Sequence, residues 1–210
     1  LTERGLSATS LNNYLRSPWN YVYRNVLRIP EVQSESLQFG TALHGVLASV
    51  MQHKRTREAL PNVRDIAQYL ERELTRLPLS VHEYIRLHER GLEILVHYLE
   101  TMKDTLPLHS REEMKLEAVL QTGDSAFPEV RLTGALDRLD FDAALQEGGR
   151  LVRVVDYKSG SPKTRGQIEG TTKDSDGNYK RQLVFYALLL SLQDDERFHT
   201  RTFVLSFIEA

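Results

Sequence analysis

"VVDYKSG", residues 154–160, ends an apolar run with an acid and a base two positions apart, just before a glycine. Because successive side chains of a β-strand point to opposite faces, Asp156 and Lys158 share one face of the strand predicted here. A surface ion pair would explain these two charges taken alone, and that alternative stays open. The stretch predicts a buried strand that brings an acid and a base to the same place.

A second acid lies near the end of the preceding predicted strand, at Asp137 in "GALDRLD". A hairpin with its loop near residues 143–149 would bring Asp137 and Asp156 side by side. Two carboxylates in one partly buried place raise each other's pKa unless a cation lies between them. Since the chain contains no cysteine, the available ligands favour Mg²⁺ or Mn²⁺ over zinc. We therefore predict a metal site for phosphodiester hydrolysis, in which Lys158 orients the attacking water or stabilises charge on a phosphate oxygen.

The second half of the chain, from about residue 111 to the end, is predicted to contain strands with one helix among them. β-Branched and leucine-rich runs separated by turn-forming residues indicate a three-strand antiparallel meander. A long polar loop over 160–178 precedes an apolar helix that begins near Tyr179, and "TRTFVLSFIEA" indicates a last strand. The three meander strands are predicted at 113–122, 129–142 and 149–159.

The first half of the chain, to about residue 110, has the apolar spacing of helices. Pro18 is expected to kink the segment 7–27 or to split it into two short helices. Two more helices are predicted at about 62–77 and 80–104, each followed by a proline. Between them and the first segment, "LQFGTALHGVLASVMQHK" predicts a helix with an apolar stripe formed by Phe39, Leu43, Val46, Leu47 and Val50.

The composition is that of a globular chain, with 210 residues, 40% hydrophobic content and a formal net charge of −2. That length suits one domain with a substantial core. The charge excludes a strongly basic protein that coats DNA non-specifically. No run approaches the length of a membrane helix and no signal peptide is recognisable, so we expect a cytoplasmic protein. The chain begins with Leu1 rather than methionine, and we expect it to be part of a longer protein.

The segment from Arg150 to Arg181 is locally basic, with eight bases against four acids. Such an excess is typical of a surface that contacts the phosphate backbone of DNA. A solvated loop would also account for the individual lysines. The candidate DNA-binding residues are Lys163, Arg165, Lys180 and Arg181.

Two further polar features lie on predicted helices. His44 in "FGTALHGVL" is an imidazole on an otherwise apolar helix, where a core histidine is the alternative explanation. Gln182 and Tyr186 in "QLVFYALLL" are four positions apart and share one helix face. Their alternative explanation is a helix end made amphipathic by chance.

The motifs around His44, Asp137, Asp156 and Gln182 occur in an order that resembles the PD-(D/E)xK nuclease superfamily. They resemble in particular the RecB-type and AddB-type nuclease domains of bacterial helicase-nucleases, and the segment 7–27 is similar to the start of such a domain. The resemblance implies an α/β fold with a restriction-endonuclease-like core of mixed β-sheet flanked by helices, and an N-terminal helical elaboration. It covers nearly the whole chain, which we expect to be a single nuclease domain.

The resemblance also implies roles for individual residues. It assigns catalysis to Lys158 and places Gln182 and Tyr186 beside the catalytic site. The implied metal ligands are His44, Asp137 and Asp156, of which the two acids also count as catalytic residues.

Two further acids are secondary candidates for the site, and two residues depart from the family's pattern. Glu117 corresponds to an acid on the family's first core strand, and Asp140 lies close to Asp137 but on the opposite strand face. Leu136 stands where the family's name has proline, which is a common relaxation. Ser17 stands where many relatives carry a cysteine ligand of an iron-sulfur cluster, and a chain without cysteine excludes that cluster.

The motifs and the resemblance together predict a Mg²⁺- or Mn²⁺-dependent DNA nuclease domain. We expect exonucleolytic processing of DNA ends in recombination and repair, with DNA and a helicase domain or subunit as partners and no membrane. One alternative is a catalytically silent nuclease-fold module that binds DNA or a helicase partner. Another is an α/β domain with an incidental ion pair, which would place Asp137 and Asp156 far apart.

Overall fold

The computed structural model describes residues 5–146, 149–193 and 198–209 of the chain. Helices come first, and a sheet with two further helices follows. Among the described residues, none of the helices combines the length and the apolar composition needed to cross a membrane. The elements are α1 (Ala8–Arg16), α2 (Pro18–Tyr21), a π-helical turn (Val22–Val26), α3 (Glu35–Arg57), α4 (Val63–Leu74), α5 (Val81–Met102), β1 (Ser110–Gln121), β2 (Glu129–Gln146), β3 (Gly149–Lys158), α6 (Arg165–Glu169), α7 (Asn178–Ser191) and β4 (Phe198–Phe207).

Local signals in the sequence set the ends of the first helices. Ser7 and Ser10 form a reciprocal capping box at the start of α1. Helix α1 ends at Arg16 and α2 begins at Pro18, because proline fits the first turn of a helix but not its interior. The predicted split at Pro18 is therefore confirmed.

Helix α3 buries its predicted apolar stripe against the sheet and against α4 and α5. Burying a side chain of this size stabilises a fold by about 1.5–3 kcal/mol, so the stripe anchors α3 along much of its length. The same helix carries His44. The five residues of the stripe, Phe39, Leu43, Val46, Leu47 and Val50, are all buried.

The sheet has four described strands in the order β1-β2-β3-β4. Strands β1, β2 and β3 form the predicted antiparallel meander, and β4 runs parallel to β3 after the crossover through α6 and α7. The expected mixed sheet flanked by helices is confirmed. The prediction of one continuous loop over 160–178 is wrong in part, because Thr164 caps the short helix α6 inside it. The predicted loop near 143–149 is wrong in part, because β2 extends to Gln146 and β3 begins at Gly149. Residues 147 and 148 lie outside the described residues.

Each face of the sheet carries its own hydrophobic core. Val154 of β3 packs with Leu189 of α7 on one face. Val155 and Tyr157 pack on the other face with side chains of α3, α4 and α5. The predicted alternation along β3 is confirmed, and Asp156 therefore lies on the α7 side of a strand that is buried on both faces.

Candidate active site

Three acids form a row across strands β1, β2 and β3. The ladder pairs Glu112 of β1 with Arg138 of β2, and Arg138 with Val155 of β3. Because the strands are antiparallel, the row one step on consists of the residue after Glu112, the residue before Arg138 and the residue after Val155, on strands that lie about 4.8 Å apart. The row, called the acid row below, consists of Glu113, Asp137 and Asp156.

Strand β2 is irregular at Asp137. Leu136 and Leu139 both pack in the core on the α7 side, although strict alternation would put residues three positions apart on opposite faces. The Asp137 Oδ2 atom accepts a hydrogen bond from the backbone N–H of Tyr157 at 2.7 Å. This bond holds the carboxylate against β3, beside Asp156.

Glu113 interrupts the β1–β2 ladder opposite Asp137. Its φ angle of +50° lies in the left-handed region, which a residue with a side chain rarely adopts and which costs on the order of 1–3 kcal/mol. Glu112 and Met114 on either side of it remain paired with β2. Burial and the charge of Asp137 raise the pKa of Glu113 above its ordinary value. Strained backbone of this kind is concentrated at functional sites.

His44 reaches the acid row from α3. Its Nδ1 atom lies 3.4 Å from Asp137 Oδ2. A side chain at Gly40, one turn earlier, would place a Cβ atom 2.5 Å from Ser159 Oγ, so glycine permits the close approach of α3 to the end of β3. Burial alone would lower the pKa of His44, but the contact with Asp137 outweighs it and raises the pKa above the ordinary value. Ligand atoms of His44, Glu113 and Asp137 all lie within 4.8 Å of one another.

Asp156 is only 2% exposed. Its Oδ2 atom lies 2.5 Å from the Lys158 ammonium, yet it accepts no well-directed hydrogen bond from any described residue. Burial raises the pKa of Asp156 above its ordinary value, Lys158 opposes that rise, and Asp137 adds to it. A buried carboxylate oxygen with an incomplete set of partners indicates a place for a further cation.

Helix α7 orients the lysine. Lys158 Nζ donates to Gln182 Oε1 at 2.8 Å, and Gln182 Nε2 donates to the Tyr186 hydroxyl at 2.8 Å. Burial and the charge of Asp156 raise the pKa of Tyr186 well above its ordinary value, so this hydroxyl stays protonated. The ammonium group also lies 5.3 Å from the centre of the Tyr179 ring. Gln182 and Tyr186 thus lie beside the acid row and hold the lysine at its end.

The two secondary candidates, Glu117 and Asp140, are not part of the acid row. Glu117 is exposed and pairs with Arg131 at 3.5 Å, four residues along β1 from Glu113 and hence about 13 Å away. The Asp140 carboxylate is buried and is held by Arg138 at 2.7 Å. Glu113 was not among the site residues predicted from the sequence, because its contact with the site depends on the register of β1.

The four candidate DNA-binding residues have different surroundings. Lys163 lines a cavity beside the site, and Lys180 lines a groove between α1 and α7. Arg165 pairs with Glu169 at 2.6 Å, and Arg181 donates to Asn12 at 2.8 Å. The side chain of Arg150, where the basic segment begins, lies outside the described residues.

The donor set fits a divalent cation. Carboxylate oxygens are the ligands that Mg²⁺ and Mn²⁺ prefer, and imidazole is accepted by several divalent metals. Among the described residues, Lys158 pairs with Asp156 and His44 contacts Asp137, so the three carboxylates of the acid row outnumber these two partners. A cavity of about 510 Å³ opens at this point, lined by His44, Glu113, Asp137 and Lys158 among others.

A mixed sheet flanked by helices, with acids and a lysine at the end of its central hairpin, defines the restriction-endonuclease-like class. A sequence model of the PD-(D/E)XK nuclease superfamily matches residues 5–207, and the chain belongs to that superfamily. Membership implies a nuclease, a phosphodiester hydrolase that uses divalent metal ions. A search of curated protein sequences finds no match.

Proposed function

We propose that this chain is a Mg²⁺- or Mn²⁺-dependent deoxyribonuclease of the RecB/AddB type that degrades DNA from its ends in recombination and repair. The observation that carries the proposal is the acid row, with His44 at one side and Lys158 at its end. A buried carboxylate in a structural ion pair is enclosed by cationic groups, whereas the acid row brings three carboxylates together with one lysine at its end.

His44, Glu113, Asp137 and Asp156 are the residues that would hold the metal. A divalent ion bound there would polarise the phosphate and lower the pKa of a water molecule. The protein's own contribution is to fix the carboxylates before substrate arrives. Asp137 is fixed by the backbone of β3 through its 2.7 Å hydrogen bond.

Lys158 is the residue that we assign to the scissile phosphate. Its ammonium group has three protons, and Gln182 accepts one of them. Tyr186 in turn receives a hydrogen bond from Gln182, which fixes the orientation of the amide. The same ammonium lies 2.5 Å from Asp156 Oδ2, and the Lys158 side chain lines the cavity, where its positive charge can stabilise negative charge that develops on a phosphate oxygen.

The proposal is tested by incubating the purified chain with linear and circular DNA, single- and double-stranded, in Mg²⁺, Mn²⁺ or chelator. We expect degradation of linear DNA that requires metal, and a loss of activity of roughly 10²–10⁴-fold in Lys158→Ala. Lys103→Ala is the matched control, because this exposed lysine pairs with Glu100 at 3.3 Å at the end of α5. Equal activity in the two variants would overturn the assignment, and rapid cleavage of circular DNA would exclude an end-dependent enzyme.

A helicase domain or subunit remains the proposed partner, and a cytoplasmic location remains a prediction. Support for a protein partner comes from apolar side chains that α1, α2 and the following segment leave exposed. If the chain were instead a silent binding module, it would bind DNA without metal-dependent cleavage and would show no specific Mn²⁺ site by calorimetry. The exposed side chains are Tyr14, Leu15, Trp19, Tyr23, Val26, Leu27, Ile29 and Val32.

A further inference from the structure

A second cavity, of about 460 Å³, lies next to the acid row. Tyr179 lines both this cavity and the one at the acid row, so the two meet at its ring. The second cavity lies between the segment that precedes α6 and the segment that precedes α7. Its basic lining residues are Arg16, Lys163 and Lys173.

The charges of the second cavity favour an anionic ligand. Lys163 and Lys173 are exposed, and within the described parts of the chain neither forms an ion pair. Of the two acids in the lining, Asp176 is held by Arg181 at 3.7 Å and lies 4.0 Å from Arg16. The two lysines are therefore free to contact phosphate, while part of the negative charge of the lining is already neutralised.

Tyr179 supplies the aromatic surface of the second cavity. It is partly buried at the start of α7, and its ring lies 5.3 Å from the Lys158 ammonium. An aromatic side chain at the edge of a basic cleft is the arrangement on which unpaired bases stack. A base inside a duplex is already stacked on both sides and cannot use such a surface.

We propose that the second cavity binds the nucleotide next to the scissile phosphate of a single DNA strand. Tyr179 stacks on the base, and Lys163 and Lys173 contact the neighbouring phosphate. This inference rests on the proposed nuclease function and adds to it the substrate class, which is an unpaired strand, and the residues that select it. Neither Tyr179 nor Lys173 was among the site residues predicted from the sequence.

The test measures binding by fluorescence anisotropy in chelator, so that hydrolysis cannot interfere. The probes are a labelled oligothymidylate of roughly 12 nucleotides and a blunt duplex of the same length. We expect the single strand to bind more tightly, Tyr179→Leu to weaken its binding by roughly fivefold to a hundredfold, and Tyr179→Phe to bind like the unmodified chain. Lys163→Ala and Lys173→Ala should each lower the slope of log affinity against log salt by about 0.7, while Lys103→Ala leaves the slope unchanged.

The results separate this inference from the nuclease proposal. Weakened binding in Tyr179→Leu, restored in Tyr179→Phe, supports the second cavity even if the chain cleaves no DNA. Binding of Tyr179→Leu within about twofold of the unmodified chain would overturn it, as would equal affinity for the duplex, even if metal-dependent cleavage is observed. Circular dichroism of each variant verifies that a loss of binding is not a loss of folding.

Discussion

Two groups of charged side chains meet on strands β2 and β3, and they differ in how their charges are paired. The first is the acid row with His44 and Lys158. The second, called the paired network below, lies on the α3 side of the sheet, where it contacts Met51. The paired network consists of Arg138, Asp140, Arg153 and Tyr157.

In the paired network each charge has a partner. Asp140 is only 4% exposed, and its two oxygens accept hydrogen bonds from Arg138 Nε at 2.7 Å and from Arg153 Nε at 3.0 Å. Arg138 also donates to the Tyr157 hydroxyl at 2.6 Å. Two guanidinium groups therefore enclose one carboxylate, as a buried ion pair requires if it is not to destabilise the fold.

In the acid row the balance is reversed. Asp156 and Asp137 stand on adjacent strands, and the buried Oδ2 atom of Asp156 has the Lys158 ammonium 2.5 Å away but accepts no well-directed hydrogen bond from the described residues. Asp137 directly precedes Arg138, and Asp156 directly precedes Tyr157, so the two groups are one residue apart along each strand. The proposed metal site would account for this difference, since a cation bound at the acid row would neutralise its carboxylates.

The largest expected effect is that of Asp156→Asn, which should separate activity from stability. We expect metal-dependent DNA cleavage to fall by roughly 10³–10⁴-fold, because the variant loses a charged ligand beside Lys158. The melting temperature in chelator should stay the same or rise. Because the pKa of Asp156 is raised in the folded state, ionisation of this group at neutral pH costs the fold stability, and asparagine has no such cost.

The measurements for Asp156→Asn are initial cleavage rates and thermal unfolding by circular dichroism. A clear drop in melting temperature would mean that Asp156 and Lys158 form a structural ion pair, and the contrast with the paired network would then fail. An unchanged cleavage rate would remove Asp156 from the catalytic site.

The same substitution in the paired network, Asp140→Asn, should have the opposite consequence. It leaves Arg138 buried without its counter-charge, and the cost expected for breaking such a pair is about 3–5 kcal/mol of unfolding free energy. Chemical denaturation measures that loss directly. At a temperature where the variant is still folded, its cleavage rate should remain within about tenfold of the unmodified chain. If its stability is unchanged while activity disappears, Asp140 belongs to the catalytic site after all.

The sequence predicted those parts of the fold that depend on local patterns. Apolar spacing located α3 and its buried stripe, and Pro18 located the break between α1 and α2. Alternation along β3 put Asp156 and Lys158 on one face. These features follow from periodicity and backbone sterics, which are visible in one segment at a time.

Three structural features that depend on contacts between distant segments could not be predicted from the sequence. Residues 110–121 contain three glutamates that look alike in the sequence, and the register of β1 against β2 decides which of them stands opposite Asp137. The parallel pairing of β4 follows from the path of the crossover. The second cavity, with Tyr179 at its edge, forms where the segments before α6 and α7 come together. No sequence motif predicted this cavity.

The smallest of the three effects is expected at Glu113, and it tests the choice between Glu113 and Glu117. Glu113→Gln should weaken Mn²⁺ binding in calorimetry by about tenfold or more, because its carboxylate is one of three groups whose ligand atoms lie within 4.8 Å of one another. Glu117→Gln is the matched control and should bind Mn²⁺ like the unmodified chain, since Glu117 lies about 13 Å along the strand. If Glu117→Gln weakens binding instead, the register of β1 is wrong and the correspondence with the family's strand acid holds. If neither variant changes binding, the metal is held by His44, Asp137 and Asp156, and the strained backbone of Glu113 needs another explanation.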